Sequence, residues 1–148
     1  MTGGSHVRSC ATKLQHNLGA NSEVSSFIKP GVRMHRTLNT ATDEIKKLRS
    51  EDVAVTWGGK NDISKNTTNL SPKHVCNFVK KKKVNIVIMK SPHRPDRILS
   101  SCVNSEVTKF NRQVEKKTKI YNNIKMLGTD SDRKYFTKHG QHLNLSGK

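Results

Sequence analysis

Val53-Ala54-Val55-Thr56-Trp57-Gly58-Gly59-Lys60-Asn61-Asp62 decides how this chain is read. Five apolar, β-branched or aromatic residues in a row make a buried strand, and the two glycines then end it in a turn. The same pattern returns downstream in Val84 to Met89, a nearly all-apolar run of the kind a central parallel strand shows. Between them, Ser71-Pro72 reads as an N-cap and first-turn proline for a helix carrying Val75, Phe78 and Val79. Beyond them, Val103, Val107, Phe110 and Val114 mark the longest amphipathic helix, and Ile124 to Leu127 the last strand. Upstream, Leu38, Ala41, Ile45 and Leu48 share a helical face, and Val24 to Ile28 reads as a strand closed by Pro30-Gly31. Val7, Ala11, Leu14 and Leu18 share another helical face, stopped by Gly19. Strands alternating with helices imply a parallel sheet with helices on both faces, and ligands then sit beyond the carboxyl ends of the strands. The expectation is α/β, three layers α/β/α with a flavodoxin-like parallel sheet, as a single domain over residues 1–148.

Composition bounds the rest. With 148 residues, 32% hydrophobic and 5% aromatic, one domain with a thin core is expected. Cys10, Cys76 and Cys102 are isolated, with neither paired nor metal-type spacing, which points to a reducing, intracellular and cytoplasmic setting. No apolar run is long enough for a transmembrane segment. The net charge of +17 draws on the run Lys80 to Lys83 and on Lys116, Lys117 and Lys119. A field of that sign favours salt-sensitive contact with nucleic acid or another anionic partner. The plainer reading is a set of solvated helix faces and helix C-termini, where lysine suits the dipole.

Three polar blocks sit on the loops this pattern predicts. They are Gly3-Gly4-Ser5-His6, Gly59-Lys60-Asn61-Asp62 and His139-Gly140-Gln141-His142-Leu143-Asn144. A serine hydroxyl, an amide donor and an imidazole are the parts of an acyl-transfer site. Each block is short and has a plain reading: Ser5 as an N-cap serine, Asn61 as a turn residue, His142 as an exposed histidine. Their order along the chain carries the signal.

That order resembles the SGNH, or GDSL-type, hydrolase family over almost the whole chain. The resemblance implies a serine esterase in which Ser5 is the nucleophile and His142 the base. It also implies an oxyanion hole of Ser5, Gly31 (in Lys29-Pro30-Gly31) and Asn61, a small acyl-ester substrate, and no cofactor. The wording of Ser91-Pro92-His93-Arg94-Pro95-Asp96 and Phe136-Thr137-Lys138-His139-Gly140 is most similar to esterase-type domains of insect genomes associated with transposable elements. Departures accompany the match. Gly4 stands where the family has aspartate beside the nucleophile, and His139 stands where it has the aspartate that orients the base. Only Met1 and Thr2 precede Gly3, so the first strand is expected to be missing, as is a final helix, which suggests a partial copy.

A neutral His139 orients its partner weakly, and a protonated one repels an imidazolium. Loss of the orienting acid costs about 10⁴ in turnover in the serine proteases. Asp130 or Asp132, earlier in the same loop, could replace it spatially, though nothing in the spacing demands this. His93, Arg94, Asp96 and His139 are expected at the pocket rim, although Arg94 and Asp96 also read as a surface ion pair. His139 and His142 with His93 and Asp96 lack a third ligand at recognisable spacing, so no metal is expected. The alternative function is of another class: a catalytically inactive basic domain that binds nucleic acid or another polyanion in a mobile-element protein.

Overall fold

The computed structural model describes residues 1–4, 7, 9–64, 70–80, 82–129, 132–140 and 142–147, with only the backbone at Ser64. Five strands make one sheet: β1 (Thr2–Gly3), β2 (Phe27–Ile28), β3 (Val53–Trp57), β4 (Asn85–Met89) and β5 (Ile124–Leu127). Their order across the sheet is β2-β1-β3-β4-β5 and every pairing is parallel. The helices are α1 (Cys10–Leu18), α2 (Met34–Lys46), α3 (Lys60–Ser64), α4 (Ser71–Val79) and α5 (Cys102–Thr118), followed by a 3₁₀ turn, Arg133–Tyr135. The chain starts mid-sheet, winds to one edge, then crosses to the other. That places the switch point between β1 and β3, where a crevice opens beyond the strand ends.

Strand alternation sends the two faces of the sheet into different cores. Ala54, Ile86, Ile88 and Ile124 pack with Met34, Leu38 and Ala41 of α2, Val75 and Val79 of α4, and Val107, Phe110 and Val114 of α5. On the other face Trp57 packs with Val7, Cys10 at the start of α1, and Phe136 and Leu143 from the C-terminal loop. The α/β/α expectation is therefore met. α5 shows why its residues are helical: the Ser101 hydroxyl caps it by accepting from the Asn104 N–H, and Lys116 and Lys117 lie in its last turn.

Several boundaries differ from the sequence reading, each for a local reason. The first strand is not wholly missing, because Thr2 and Gly3 pair with Phe27 and Ile28 on one side and Thr56 and Trp57 on the other. Gly3 makes this close approach feasible: a Cβ there would lie 2.3 Å from Val7 Cγ2 and 2.4 Å from the Trp57 carbonyl. β2 is shorter than Val24 to Ile28, because the Gln15 side chain accepts from the Val24 N–H (2.7 Å) and donates to the Ser22 carbonyl (2.6 Å). Ser71 is the first residue of α4 rather than its cap, and its hydroxyl donates to Asp62. After β5 the described residues form the 3₁₀ turn and a loop closed by the Phe136–Leu143 bridge, with no α-helix among them. No helix among the described residues is long and apolar enough to cross a membrane.

Candidate active site

β3 delivers Gly58 and Gly59 to the carboxyl edge of the sheet, and α3 starts immediately there, where the sequence suggested only a turn. Gly59 has φ 103°, and a Cβ on it would lie 2.5 Å from the Phe110 ring and 2.9 Å from Ser91 Oγ. Its carbonyl accepts from the Asp62 and Ile63 N–H groups, both at 3.0 Å, and so begins the helix. The first turn of α3 then aims Asn61 and Asp62 in different directions. The Asn61 amide donates to the Val32 carbonyl at 2.9 Å. Asp62, only 2% exposed, accepts from the Met34 N–H (2.8 Å) and from the Ser71 hydroxyl. A carboxylate at the N-terminus of α2 satisfies an orphan donor and suits the helix dipole. Asp62 is thus the anchor that ties α2, α3 and α4 together.

Next to α3 lies a cavity of about 380 Å³. Lys60, Asn61, Ser91, His93, Arg94 and Glu106 supply its polar wall, and Ile63, Pro92, Val103, Val107 and Phe136 its apolar wall; Cys102 and Gly140 complete it. The β4–α5 segment is held there by two side-chain amides. Asn111 accepts from the Ser91 N–H and donates to the Ser91 carbonyl, both at 2.9 Å. Asn104, wholly buried, accepts from the Arg94 N–H (2.7 Å) and donates to the carbonyls of Arg94 (3.1 Å), Arg97 (3.2 Å) and Ile98 (3.0 Å). An asparagine uses donor and acceptor together, so one buried residue sets the course of the whole loop.

Charge in the cavity is organised around Arg94. Its guanidinium grips Asp96 in a two-point contact at 3.0 and 2.6 Å. That hydrogen bonding holds the Asp96 carboxyl below the ordinary range and raises Arg94. Burial first, and the Arg94 charge second, push the Lys60 ammonium down to about 8, while Asp96 pulls it the other way. The His93 ring meets the Thr108 hydroxyl at 2.9 Å.

The C-terminal loop is docked on the same end of the sheet. Leu143 and Phe136 are buried with Val7 and Trp57. The Thr137 N–H donates to the His142 carbonyl (2.8 Å), and the Asn144 side chain donates to the Lys134 and Phe136 carbonyls at 2.7 and 3.2 Å. Gly140, at φ 61°, lies against the Arg94–Asp96 pair, since a Cβ on it would be 2.5 Å from Asp96 Oδ1. Asp132 caps the 3₁₀ turn and pairs with Lys134 at 3.1 Å.

The expected site residues fall out as follows. Asn61, His93 and Arg94 share the cavity. Gly31, exposed with φ 74°, neighbours Val32, whose carbonyl holds Asn61. Asp96 sits behind Arg94, outside the lining, and His139 and His142 are exposed on the docked loop, also outside it. Ser5 and Asp130 lie outside the described residues, but Gly4 and Val7, which flank Ser5 and His6 in sequence, are tied to this same end. The Gly4 N–H donates to the Trp57 carbonyl at 3.3 Å, and Val7 is fully buried beside Leu143. Among the described residues no group of three or more His, Cys, Asp or Glu side chains gathers as a metal site would. Sequence reasoning passed over Lys60 and Glu106. Lys60 stood inside the quoted block, and Glu106 stood one residue before Val107 on the amphipathic α5.

No family model matches this sequence, and no curated protein does. Solved structures do match its fold. A protein described as a platelet activating factor from Streptococcus pneumonia aligns over 98% of this chain and 75% of its own, with TM-score 0.72 and 17% identity. A GDSL-like lipase from Bacteroides thetaiotaomicron aligns over 98% and 78%, with TM-score 0.72 and 16% identity. A protein assigned as an acylhydrolase from Bacteroides fragilis aligns over 98% and 77%, with TM-score 0.73 and 15% identity. None of these supports the insect or mobile-element side of the resemblance. What the chain shares with them at such identities is the fold, the parallel α/β sheet of GDSL-like lipases and acylhydrolases.

Proposed function

We propose that this chain is an SGNH-type serine ester hydrolase acting on small acyl esters. Ser5 attacks the ester carbonyl, His142 takes its proton, and the Ser5 and Gly31 N–H groups with the Asn61 amide hold the oxyanion. Water then releases the acyl group. The observation that carries this reading is Asn61, which lines a cavity at the carboxyl edge of β3 with its amide plane fixed by the Val32 carbonyl. A side-chain amide at that edge of the sheet is the kind of donor an oxyanion hole uses. Docking of the His142 loop beside Val7 supports the pairing of base and nucleophile segments. The reading keeps His93 and Arg94 as rim groups, with Asp96 behind Arg94 and His139 on the docked loop outside the lining.

The test is hydrolysis of a short p-nitrophenyl ester at fixed salt and equal folded concentration. Ser5→Ala and His142→Ala are expected to abolish turnover above background, and Asn61→Ala to lower it about 10²–10³-fold. His139→Asp is expected to raise the rate about tenfold by stabilising the imidazolium. Equal slow turnover in wild type and Ser5→Ala, with no gain from His139→Asp, ends the hydrolase reading. A second reading, the inactive basic domain, has its own support in a groove of about 520 Å³ along α5, bordered by Lys109, Arg112 and Lys116. Salt-dependent binding of an oligonucleotide by a protein without Ser5-dependent turnover would favour it.

A further inference from the structure

α5 turns two unlike sides to its surroundings. Val107, Phe110 and Val114 are buried in the core. Lys109, Arg112, Lys116 and Lys119 follow one another at steps of three, four and three, which lines them along the opposite, exposed face. From Cys102 to Lys119 five cations stand against two carboxylates. Glu106 is met by Lys109 at 3.4 Å and Glu115 by Lys90 at 3.0 Å, which leaves Arg112, Lys116 and Lys119 as exposed cations outside those pairs. A groove of about 520 Å³ runs between Leu99 and the side chains of Lys109, Arg112, Gln113 and Lys116. Apolar groups lie at both ends of the stripe. Ile98 and Leu99, 73% and 76% exposed, precede the helix, and Ile120, 71% exposed, follows Lys119. The display of the first pair is built in, because the Ile98 carbonyl accepts from the Asn104 amide and from the Ser101 N–H, both at 3.0 Å. Adjacent large aliphatic side chains held in water beside a basic stripe, unlike single scattered ones, mark a contact surface.

We infer that this face docks the protein on an anionic lipid surface, with the α5 cations against the headgroups and Ile98 and Leu99 in the acyl boundary. Nothing in this depends on the hydrolase reading. A basic stripe with aliphatic side chains at its ends has the makeup of a helix that lies in the plane of a membrane. A cluster of about four or more Lys and Arg on one helix is the charge pattern that anionic lipids attract. α5 spans 17 residues, about 25 Å, so its cations can touch several headgroups at once. Nucleic acid is the poorer fit to the same charge. A single strand is held by aromatic rings on which bases stack, whereas the exposed large apolar residues among the described ones are all aliphatic. A duplex bound through its phosphates leaves Ile98 and Leu99 in water.

The experiment is co-sedimentation of the full chain with vesicles of phosphatidylcholine, alone or with about a quarter phosphatidylserine. Binding to the anionic vesicles is expected to be at least about tenfold tighter, and to weaken as added salt shortens the screening length. Arg112→Gln with Lys116→Gln should lower it about 25-fold, roughly fivefold for each cation. Arg112→Lys with Lys116→Arg should keep it. Ile98→Ser with Leu99→Ser should lower it at least about fivefold by removing the apolar insertion, and leave oligonucleotide binding unchanged. Lys46→Gln with Lys47→Gln takes the same charge from the end of α2 and should change vesicle binding less than about twofold. All six side chains are exposed, and each variant is checked for the wild-type urea midpoint. Equal binding to the two vesicle types, no binding to either, or an anionic preference that survives Arg112→Gln with Lys116→Gln overturns the inference. So does an unchanged preference in the Ile98→Ser, Leu99→Ser variant, and oligonucleotide binding tighter than vesicle binding then assigns the face to nucleic acid. A chain with no Ser5-dependent turnover that still prefers the anionic vesicles loses the hydrolase reading and keeps the lipid-docking face.

Discussion

The two halves of the sheet are built by different means. β3 meets β4 over five registered positions and β4 meets β5 over four, whereas β1 meets each neighbour over two. On the face where the wide half buries Ala54, Ile86, Ile88 and Ile124 lies a core drawn from α2, α4 and α5. On the opposite face, beside the short β1, Val7, Cys10 and Trp57 depend on Phe136 and Leu143, brought from the far end of the chain. Where backbone pairing is short, side-chain burial by a distant loop takes its place. The consequence for function is direct. Asn61 follows the wide half, while Gly4, Val7 and the His142 loop gather beside the short β1, so the proposed site straddles a strong and a weak foundation.

The contrast breaks first at Phe110, which is 3% exposed and packs in the wide half against the position where a Gly59 Cβ would be. Phe110→Ala is expected to cost about 3–5 kcal/mol, read as a large fall in the urea midpoint with all probes moving together. A loss below about 1 kcal/mol would mean that this core does not dominate stability.

A smaller effect, differently distributed, is expected in the narrow half. Leu143→Ala should cost about 2–3 kcal/mol, because the loop it sits on can partly collapse into the space. Hydrogen exchange should quicken at the amides of Gly4, Val7 and Phe27 while those of Ile86 and Ile88 keep their protection. Uniform acceleration across both halves would show that they unfold as one unit, and the contrast would then be one of construction only.

The smallest effect sharpens the boundary between the halves, at Lys60. Its folded pKa of about 8 lies below the ordinary lysine value of 10.5, so the unfolded chain binds more protons between those values and stability rises with pH across that window. Lys60→Met should therefore stabilise the protein at pH 7, and the gain should shrink as pH approaches 10.5. It should stay under about 1 kcal/mol, since a half-buried charge is well screened. A gain that is constant from pH 7 to 10.5 would assign it to packing rather than to charge.

Most of the wide half was legible in the sequence. The strand Val53–Trp57, the strand Ile124–Leu127 and the helix carrying Val75, Phe78 and Val79 lie where their patterns place them, that helix starting at Ser71 rather than after it. The narrow half was harder to read, because two-residue strands have no periodicity to detect. Thr2 and Gly3 look like a stub until Phe27 and Trp57 are seen on either side. At the site, the glycine–amide–histidine blocks were visible, but the sequence reading gave no role to Asp62 or Asn104. Both are buried hubs: Asp62 accepts from Met34 and Ser71, and Asn104 bonds the Arg94–Ile98 loop.

The amino-acid sequence by itself determined the alternation of strand and helix, the parallel sheet that follows from it, and the placing of Asn61 at a strand's carboxyl edge. These are local consequences of hydrophobic period, turn chemistry and chirality, which need no knowledge of distant contacts. Only the tertiary structure decided that Gly140 rests on Asp96 and that Leu143 shares a core with Val7. It also decided that Lys60 and Arg94 face one cavity. Each of these joins segments far apart in the chain, and such contacts are set by shape and burial once the sheet has formed, for which no spacing along the sequence carries a signal.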